Sequence, residues 1–103
     1  MSARPTTLAA RSSVRPARAQ RQRIFLHILS KDSFGATLEE LSNDLDIRLQ
    51  TVCPRRLELE KQGLVVSSGT TRATKSGAKA IVWVIPPAIA ASAHQKLQQK
   101  ENA

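Results

Sequence analysis

The segment 37–83 constrains the fold more than any other part of this 103-residue chain. Two short amphipathic patterns with helical spacing, joined by a tight connection, are followed by two β-branched runs separated by a basic loop. This order predicts a small α+β unit in which one short helix lies beside one cationic hairpin. A chain of this length has room for one domain of ordinary size together with its tails.

Charge and composition narrow the classes of partner. The chain carries 16 Lys and Arg against 8 Asp and Glu, for a formal net charge of +8. Such a balance favours a polyanion, either nucleic acid or an anionic membrane surface. No apolar run approaches the roughly 18 residues of a membrane span. The single cysteine, Cys53, cannot form an internal disulfide, so we expect a reducing compartment.

Residues 1–18 are typical of a disordered basic arm. They lack apolar periodicity and carry two prolines and four arginines without an acid. The arm is either a solvated tail that keeps the protein soluble or an extension that seeks phosphates. Its composition also resembles that of a mitochondrial transit peptide, a minor alternative, but it lacks the hydrophobic stretch of a secretory signal.

A first helix is predicted over about residues 19–30. Its apolar residues recur at helical spacing and form one stripe: Ile24, Phe25, Ile28 and Leu29. A turn with Gly35 as helix breaker follows. Neither His27, beside this stripe, nor His94 near the C-terminus has a metal-ligand pattern around it, so we expect no metal site.

A second helix is predicted to begin after Thr37. Thr37 and Glu40 have the spacing of a capping box, in which each side chain bonds the backbone N–H of the other. The buried stripe should consist of Leu38, Leu41 and Leu45. Four acids on or beside this helix disfavour contact with phosphates, so we expect a supporting role for it: Glu39, Glu40, Asp44 and Asp46.

A third helix is expected to start near Gln50 or Thr51, with Thr51 as a candidate cap. Pro54 leads to this expectation. A proline deep inside a helix costs ~3 kcal/mol, whereas in the first turn it costs little, because the amides there have no intrahelical acceptor.

The same helix is predicted to end near Gln62. Gly63 then serves as the terminating residue, and Lys61 lies favourably in the last turn. Val52 and Leu59 are seven residues apart, so they should lie on one face and contact the core.

Two strands are predicted after this helix, at residues 64–66 and 80–85. The intervening residues 67–79 contain two glycines, many hydroxyls and three cations but no acid. Consecutive prolines at 86 and 87 end the second strand. Residues 88–100 are rich in alanine and glutamine, and a weak helix there would be either frayed or docked on a partner.

The strings TVCPRRLELEKQGLV and RATKSGAKAIVWV resemble the recognition helix and wing of the winged helix-turn-helix superfamily, most closely its small bacterial and phage members. The likeness covers about residues 24–85. It implies a three-helix winged helix-turn-helix with a β-hairpin wing at residues 19–86, a basic arm at 1–18 and a tail, with a possible C-terminal helix, at 87–103. It also implies sequence-specific binding of double-stranded DNA by a transcriptional regulator, with the third helix in the major groove.

The candidate DNA contacts form two sets, one on the third helix and one on the wing. An arginine can bond guanine through two parallel hydrogen bonds, worth ~1–3 kcal/mol of discrimination. Wing cations would neutralise adjacent phosphates or enter the minor groove, and hydroxyls, including that of Thr71, would add neutral hydrogen bonds to the backbone. The candidates are Arg48, Gln50, Thr51, Cys53, Arg55, Arg56, Arg72, Thr74, Lys75, Ser76 and Lys79.

Two departures from the superfamily pattern leave the orientation of this helix open. Arg48 and Leu49 stand where serine or threonine is usual, and Arg56 stands where an apolar residue is frequent. Either the stem of Arg56 covers apolar surface at the edge of the core, or the helix is rotated. Whether Arg55 or Arg56 faces DNA therefore stays open. Cys53, where serine is common, is interpreted as a weak hydrogen bonder rather than a redox sensor.

Other functions remain as alternatives: a protein-docking module that binds RNA polymerase or another host protein, and a DNA replication or packaging accessory factor of phage type. A membrane binder is disfavoured because the arm lacks bulky apolar residues. Enzymatic activity is not expected, since the sequence has no catalytic constellation and no glycine-rich phosphate loop. We expect no cofactor and no small-molecule ligand. The expected partner is double-stranded DNA, and the expected location is the cytoplasm of a bacterium or phage-infected host. Homodimerisation is a further option, through residues 88–100 or the first helix.

Overall fold

The structure, a computed structural model, describes the backbone of residues 16–102 and the side chains of residues 16–97. Within that range the fold is α+β, as predicted, with four α-helices and one antiparallel hairpin. No helix in the described range is long and apolar enough to cross a membrane. The elements are α1 (Ala17–Ser30), a 3-10 turn (Asp32–Phe34), α2 (Leu38–Leu45), α3 (Leu49–Lys61), β1 (Val66–Ala73), β2 (Lys79–Val84) and α4 (Pro87–Asn102).

The basic arm predicted for residues 1–18 lies almost wholly outside the described residues. Its last two residues, Ala17 and Arg18, belong to α1, which therefore starts slightly earlier than predicted. Pro16 precedes the first helical residue, where its fixed φ suits a helix start and its missing N–H costs nothing.

One apolar core joins the first three helices to the base of the hairpin. Helix α1 contributes Ile24, Ile28 and Leu29, as its spacing predicted, while Phe25 is only partly buried against the same cluster. The predicted core contacts of α3, Val52 and Leu59, are both buried. The remaining members of the buried cluster are Ala36, Leu41, Ile47, Val65, Trp83 and Ile85.

The predicted capping box of α2 is confirmed. The Thr37 hydroxyl accepts a hydrogen bond from the Glu40 backbone N–H at 3.2 Å, and the Thr37 N–H donates to the Glu40 carboxylate at 3.1 Å. Thr37 is 1% exposed, so this cap is also part of the domain interior. Leu41 is fully buried, whereas Leu38 and Leu45 are partly buried.

Helix α3 begins earlier than predicted, at Leu49, with Arg48 as its N-cap. Asp46 adopts a left-handed conformation that ends α2, and the Arg48 carbonyl then accepts the N–H groups of Thr51 and Val52 at 2.9 and 3.0 Å. The prediction that Thr51 caps the helix is therefore wrong. Pro54 lies in the second turn, inside the helix, and has no N–H to offer the Gln50 carbonyl. At the other end, Gly63 follows the helix with φ 76°, as its predicted role requires.

The first strand is much longer than the predicted residues 64–66. Strand β1 extends through the hydroxyl-rich stretch to Ala73, so only residues 74–78 form the hairpin loop. Between the pairs Ser67–Trp83 and Thr71–Ile81 the register shifts, and Gly69 lies in this bulge with φ 86°. Most side chains of β1 are exposed, so the strand is held by its backbone hydrogen bonds to β2 rather than by burial. A search for apolar runs does not detect such a strand.

The hairpin is fixed to the connection between α1 and α2. Ala36 and Trp83 exchange two backbone hydrogen bonds, of 3.0 and 2.8 Å, and so form an antiparallel bridge. Gly35 comes so close to β2 that a Cβ atom there would lie 2.5 Å from the Trp83 carbonyl oxygen. Its φ of 65° and ψ of −165° belong to a region that is essentially restricted to glycine. The hairpin therefore has a defined position against the helices.

The C-terminal segment forms helix α4. Ile89, Ala90 and Ala93, in its first two turns, are partly buried against the core of the same chain. Leu97, farther along the same helix, is 41% exposed.

Candidate nucleic-acid interface

Helix α3 presents one continuous stripe to solvent, which we call the outer stripe. Its members follow one another at intervals of four, three and four residues, so they lie on one helical face, opposite the core residues Val52 and Leu59. All of them are exposed. The outer stripe consists of Gln50, Pro54, Leu57 and Lys61.

Arg55 does not lie on this stripe. Its guanidinium donates to the Glu58 carboxylate at 2.9 Å and to the Gln20 side-chain oxygen at 3.3 Å, so it points toward α1. Arg21 of α1 bonds the same carboxylate at 2.7 Å, and this hydrogen bond, helped by Arg55, lowers the pKa of Glu58. The expectation that Arg55 faces a DNA groove does not agree with this placement, since its donors join α3 to α1.

Arg56 lies on the opposite flank of α3. Its guanidinium stacks 4.3 Å from the centre of the Trp83 ring and forms an ion pair with Glu60. Its side chain is 17% exposed, and its Nε is buried without a hydrogen-bond partner among the described residues. Of the two alternatives left open by the sequence, the covered edge of the core is therefore the one observed. Neither Arg55 nor Arg56 lies on the outer face.

Arg72 anchors the hairpin to α2. Its guanidinium makes paired hydrogen bonds to the Glu40 carboxylate, at 2.9 and 2.8 Å, and lies 3.9 Å from the centre of the Phe34 ring. It also donates to the backbone carbonyls of Phe34 and Gly35, at 3.2 and 3.3 Å. This pairing is the main cause of a lowered pKa for Glu40. The predicted phosphate contact by Arg72 would therefore require the guanidinium to give up these internal bonds.

The hairpin loop is organised by its own hydroxyls. Thr74 donates its N–H to the Ala78 carbonyl at 2.8 Å, and its hydroxyl lies 2.7 Å from that of Ser76. The Lys75 backbone N–H donates to the Glu39 carboxylate at 3.0 Å, which fixes the loop beside the start of α2. Thr74 and Ser76, both DNA candidates, therefore shape the loop.

Four exposed cations surround this surface without an acidic partner among residues 16–97. Two are at the ends of α3, one as its N-cap and one in its last turn, and two are at the hairpin tip. They are Arg48, Lys61, Lys75 and Lys79. Gln50 is exposed between the first two, while Thr51 and Cys53 are half-buried on the flanks of the helix.

Three surface residues of α3 were absent from the sequence-based candidates: Pro54, Leu57 and Lys61. Leu49, which the sequence analysis noted only as a departure from the superfamily pattern, is 46% exposed, and Leu57 is 43% exposed. A helical projection centred on Val52 and Leu59 would have placed Pro54, Leu57 and Lys61 outward, and Leu49 and the two central arginines at the flanks. Residue type alone favours the two arginines instead, since arginine is the usual contact for guanine.

The two histidines each contact an acid. His27 lies 2.9 Å from Asp44, and His94 lies 3.6 Å from Asp32. Within the range whose side chains are described, no three residues of the His, Cys, Asp and Glu types are grouped so that they could hold a metal ion.

Comparison of the chain with protein families, characterised proteins and solved structures finds no significant match.

Proposed function

We propose that this protein is a winged helix-turn-helix protein that binds double-stranded DNA, with α3 in the major groove and the hairpin loop on the flanking backbone. Three observations about the fold support the assignment. Three helices are followed by a hairpin, Ala36 between the first two helices pairs with Trp83 of the hairpin, and a tight connection joins α2 to α3. In helix-turn-helix proteins the second helix of the pair enters the groove, and α3 takes that position here.

The observation that carries the proposal is the distribution of charge around α3 and the hairpin. The neighbouring carboxylates of Glu40, Glu58 and Glu60 are all bonded to arginines of the same chain. Their negative charge is therefore compensated internally. Of the cations without an acidic partner among residues 16–97, four lie at the two ends of α3 and at the hairpin tip, where phosphates on either side of an occupied groove would be found.

The start of α3 adds a second favourable feature. The Arg48 side chain has no hydrogen-bond acceptor, and no side chain caps the helix. The first N–H groups and the positive end of the helix dipole are thus directed toward the solvent beside a cation. A phosphate at this position would bond to these groups and to the Arg48 guanidinium.

A mobility-shift assay with random and selected duplexes, over a series of salt concentrations, tests the proposal. Four phosphate contacts predict that log K falls with log salt with a slope of about −4. Selection from a random pool should enrich one sequence, as a transcriptional regulator requires. An absence of duplex binding at about 0.15 M salt would refute the proposal. Enrichment of no sequence would favour an accessory role in DNA replication or packaging.

A protein-docking module is the second candidate, and one observation favours it. Leu49 and Leu57 expose nearly half of their surface on a helix that has no cation at the centre of its outer stripe. Exposed apolar groups of this kind are frequent at protein interfaces. The same assay separates the candidates, because a docking module should not shift a duplex at physiological salt.

A further inference from the structure

The side chains that a DNA groove would meet on α3 are not those that usually recognise guanine. Both central arginines are bonded to residues of the same chain and lie on the flanks of the helix. The outer stripe between its two ends instead carries Gln50, Pro54 and Leu57, with Leu49 exposed beside its first turn. One amide and several apolar groups are therefore what this surface offers to base edges.

We propose that the outer stripe selects A·T base pairs in the major groove, an inference that rests on the DNA-binding function proposed above. Thymine is the only base that presents a methyl group there, and apolar side chains are its natural contacts. Leu57, at the centre of the stripe, and Leu49 supply such contacts. The Gln50 amide can bond the N6 and N7 positions of adenine in the paired geometry typical of glutamine.

Charge complementarity identifies a duplex, rather than a protein, as the occupant of this surface. Arg48 precedes the apolar stretch and Lys61 follows it, and neither has an acidic partner in the described range. Thirteen residues of helix place these cations ~20 Å apart along the axis. An apolar centre with a cation at each end matches base edges bordered by two phosphate strands.

The test uses the full-length chain and a duplex selected from a random pool. Each thymine of the selected site is replaced in turn by deoxyuridine, which removes the C5 methyl group and leaves every hydrogen-bonding atom unchanged. We expect a loss of affinity of about fourfold at one or more positions, the value of one buried methyl group. The variant Leu57→Ala, or Leu49→Ala, should bind the thymine and uracil duplexes equally at that position.

Leu26→Ala is the matched control. Leu26 is 39% exposed on α1, outside the outer stripe, so its loss should leave the discrimination between thymine and uracil intact. Circular dichroism would establish that each variant is folded, which is expected because the replaced side chains are exposed.

The outcomes separate the two proposals. If the chain binds duplexes but selects G·C-rich sites, or does not distinguish thymine from uracil, the inference is wrong while the DNA-binding function stands. Discrimination that survives in both leucine variants would also overturn it, because the methyl contact would then come from elsewhere. If no duplex is bound in any round of selection, the function itself fails, and the apolar stripe is better explained as a protein-docking surface.

Discussion

Eight cations on or beside α3 and the hairpin form two groups that differ in their contacts. The internal group, Arg21, Arg55, Arg56 and Arg72, bonds to carboxylates, carbonyls or aromatic rings of the same chain. The outer group, Arg48, Lys61, Lys75 and Lys79, has no acidic partner in the described range. The internal group consists of arginines, whose planar fork bonds two acceptors at once and stacks on rings. Three of the four outer cations are lysines.

This difference means that formal charge overstates the number of cations available to a polyanion. A guanidinium that already bonds Glu40 and two backbone carbonyls would have to break those bonds before it could reach a phosphate. A lysine that protrudes from the hairpin loop has no such bonds to break, and on binding a phosphate it would lose only conformational freedom of its side chain. If the grouping is correct, substitutions in the internal group should affect stability, and substitutions in the outer group should affect binding.

The largest effect is expected for Arg72→Ala. It removes the paired bonds to Glu40, two bonds to carbonyls and the stacking on Phe34, and it leaves the Glu40 carboxylate without its main partner. We expect a loss of about 2 kcal/mol in the free energy of unfolding, measured by urea denaturation. Lys75→Ala in the same loop region is the control and should change stability by less than about 0.5 kcal/mol. Equal losses for both variants would remove the distinction between the groups.

The next effect concerns DNA affinity and the double variant Lys75→Ala, Lys79→Ala. Two lost phosphate contacts should weaken binding about tenfold at about 0.15 M salt, alike on all sequences, and make the slope of log K against log salt shallower by about 2. Titration of selected and random duplexes by fluorescence anisotropy would measure both quantities. An unchanged salt slope would show that the hairpin tip does not contact the backbone.

A smaller effect is expected for Arg55→Ala, and it concerns stability. The variant loses the bonds that join α3 to Gln20 and Glu58, while Arg21 keeps its own bond to Glu58. We expect a loss of about 1 kcal/mol in the free energy of unfolding. The preferred DNA sequence should not change, whereas Gln50→Ala should alter it and leave stability nearly unaffected. A relaxed sequence preference in the Arg55 variant would support the original expectation from the sequence.

Local patterns predicted most of the fold. The capping box at Thr37, the termination at Gly63 and the buried spacing of Val52 and Leu59 each depend on neighbouring residues and are confirmed. The length of β1 could not be predicted in the same way. Its exposed hydroxyl residues gain their stability from backbone pairing with β2, and such pairing leaves no apolar signature in the sequence.

The candidate site was less predictable than the fold, because residue type does not specify a partner. Arg55 and Glu58 are separated by three residues, and Arg56 and Glu60 by four, which are the spacings of helical ion pairs. That local signal could have indicated that both arginines are occupied. The bonds of Arg72 to Glu40 and of Arg55 to Gln20 connect residues more than thirty positions apart, so they follow only from the tertiary structure.

The smallest effect, a pH dependence, tests the Arg72–Glu40 pair from the acidic side. Arg72 holds the pKa of Glu40 below its ordinary value of 4.5. A carboxylate with a lowered folded-state pKa contributes stability that is present above the unfolded-state pKa and is lost as the pH falls through the folded-state pKa. Unfolding free energies measured between pH 7 and pH 3 should therefore fall less for Glu40→Gln than for the original chain. We expect a difference below about 1 kcal/mol, because the pair is partly exposed to solvent. In an Arg72→Ala background the same substitution should have a smaller effect on the pH dependence, since only the Thr37 N–H then bonds the Glu40 carboxylate. An undiminished difference there would mean that Arg72 is not its main cause.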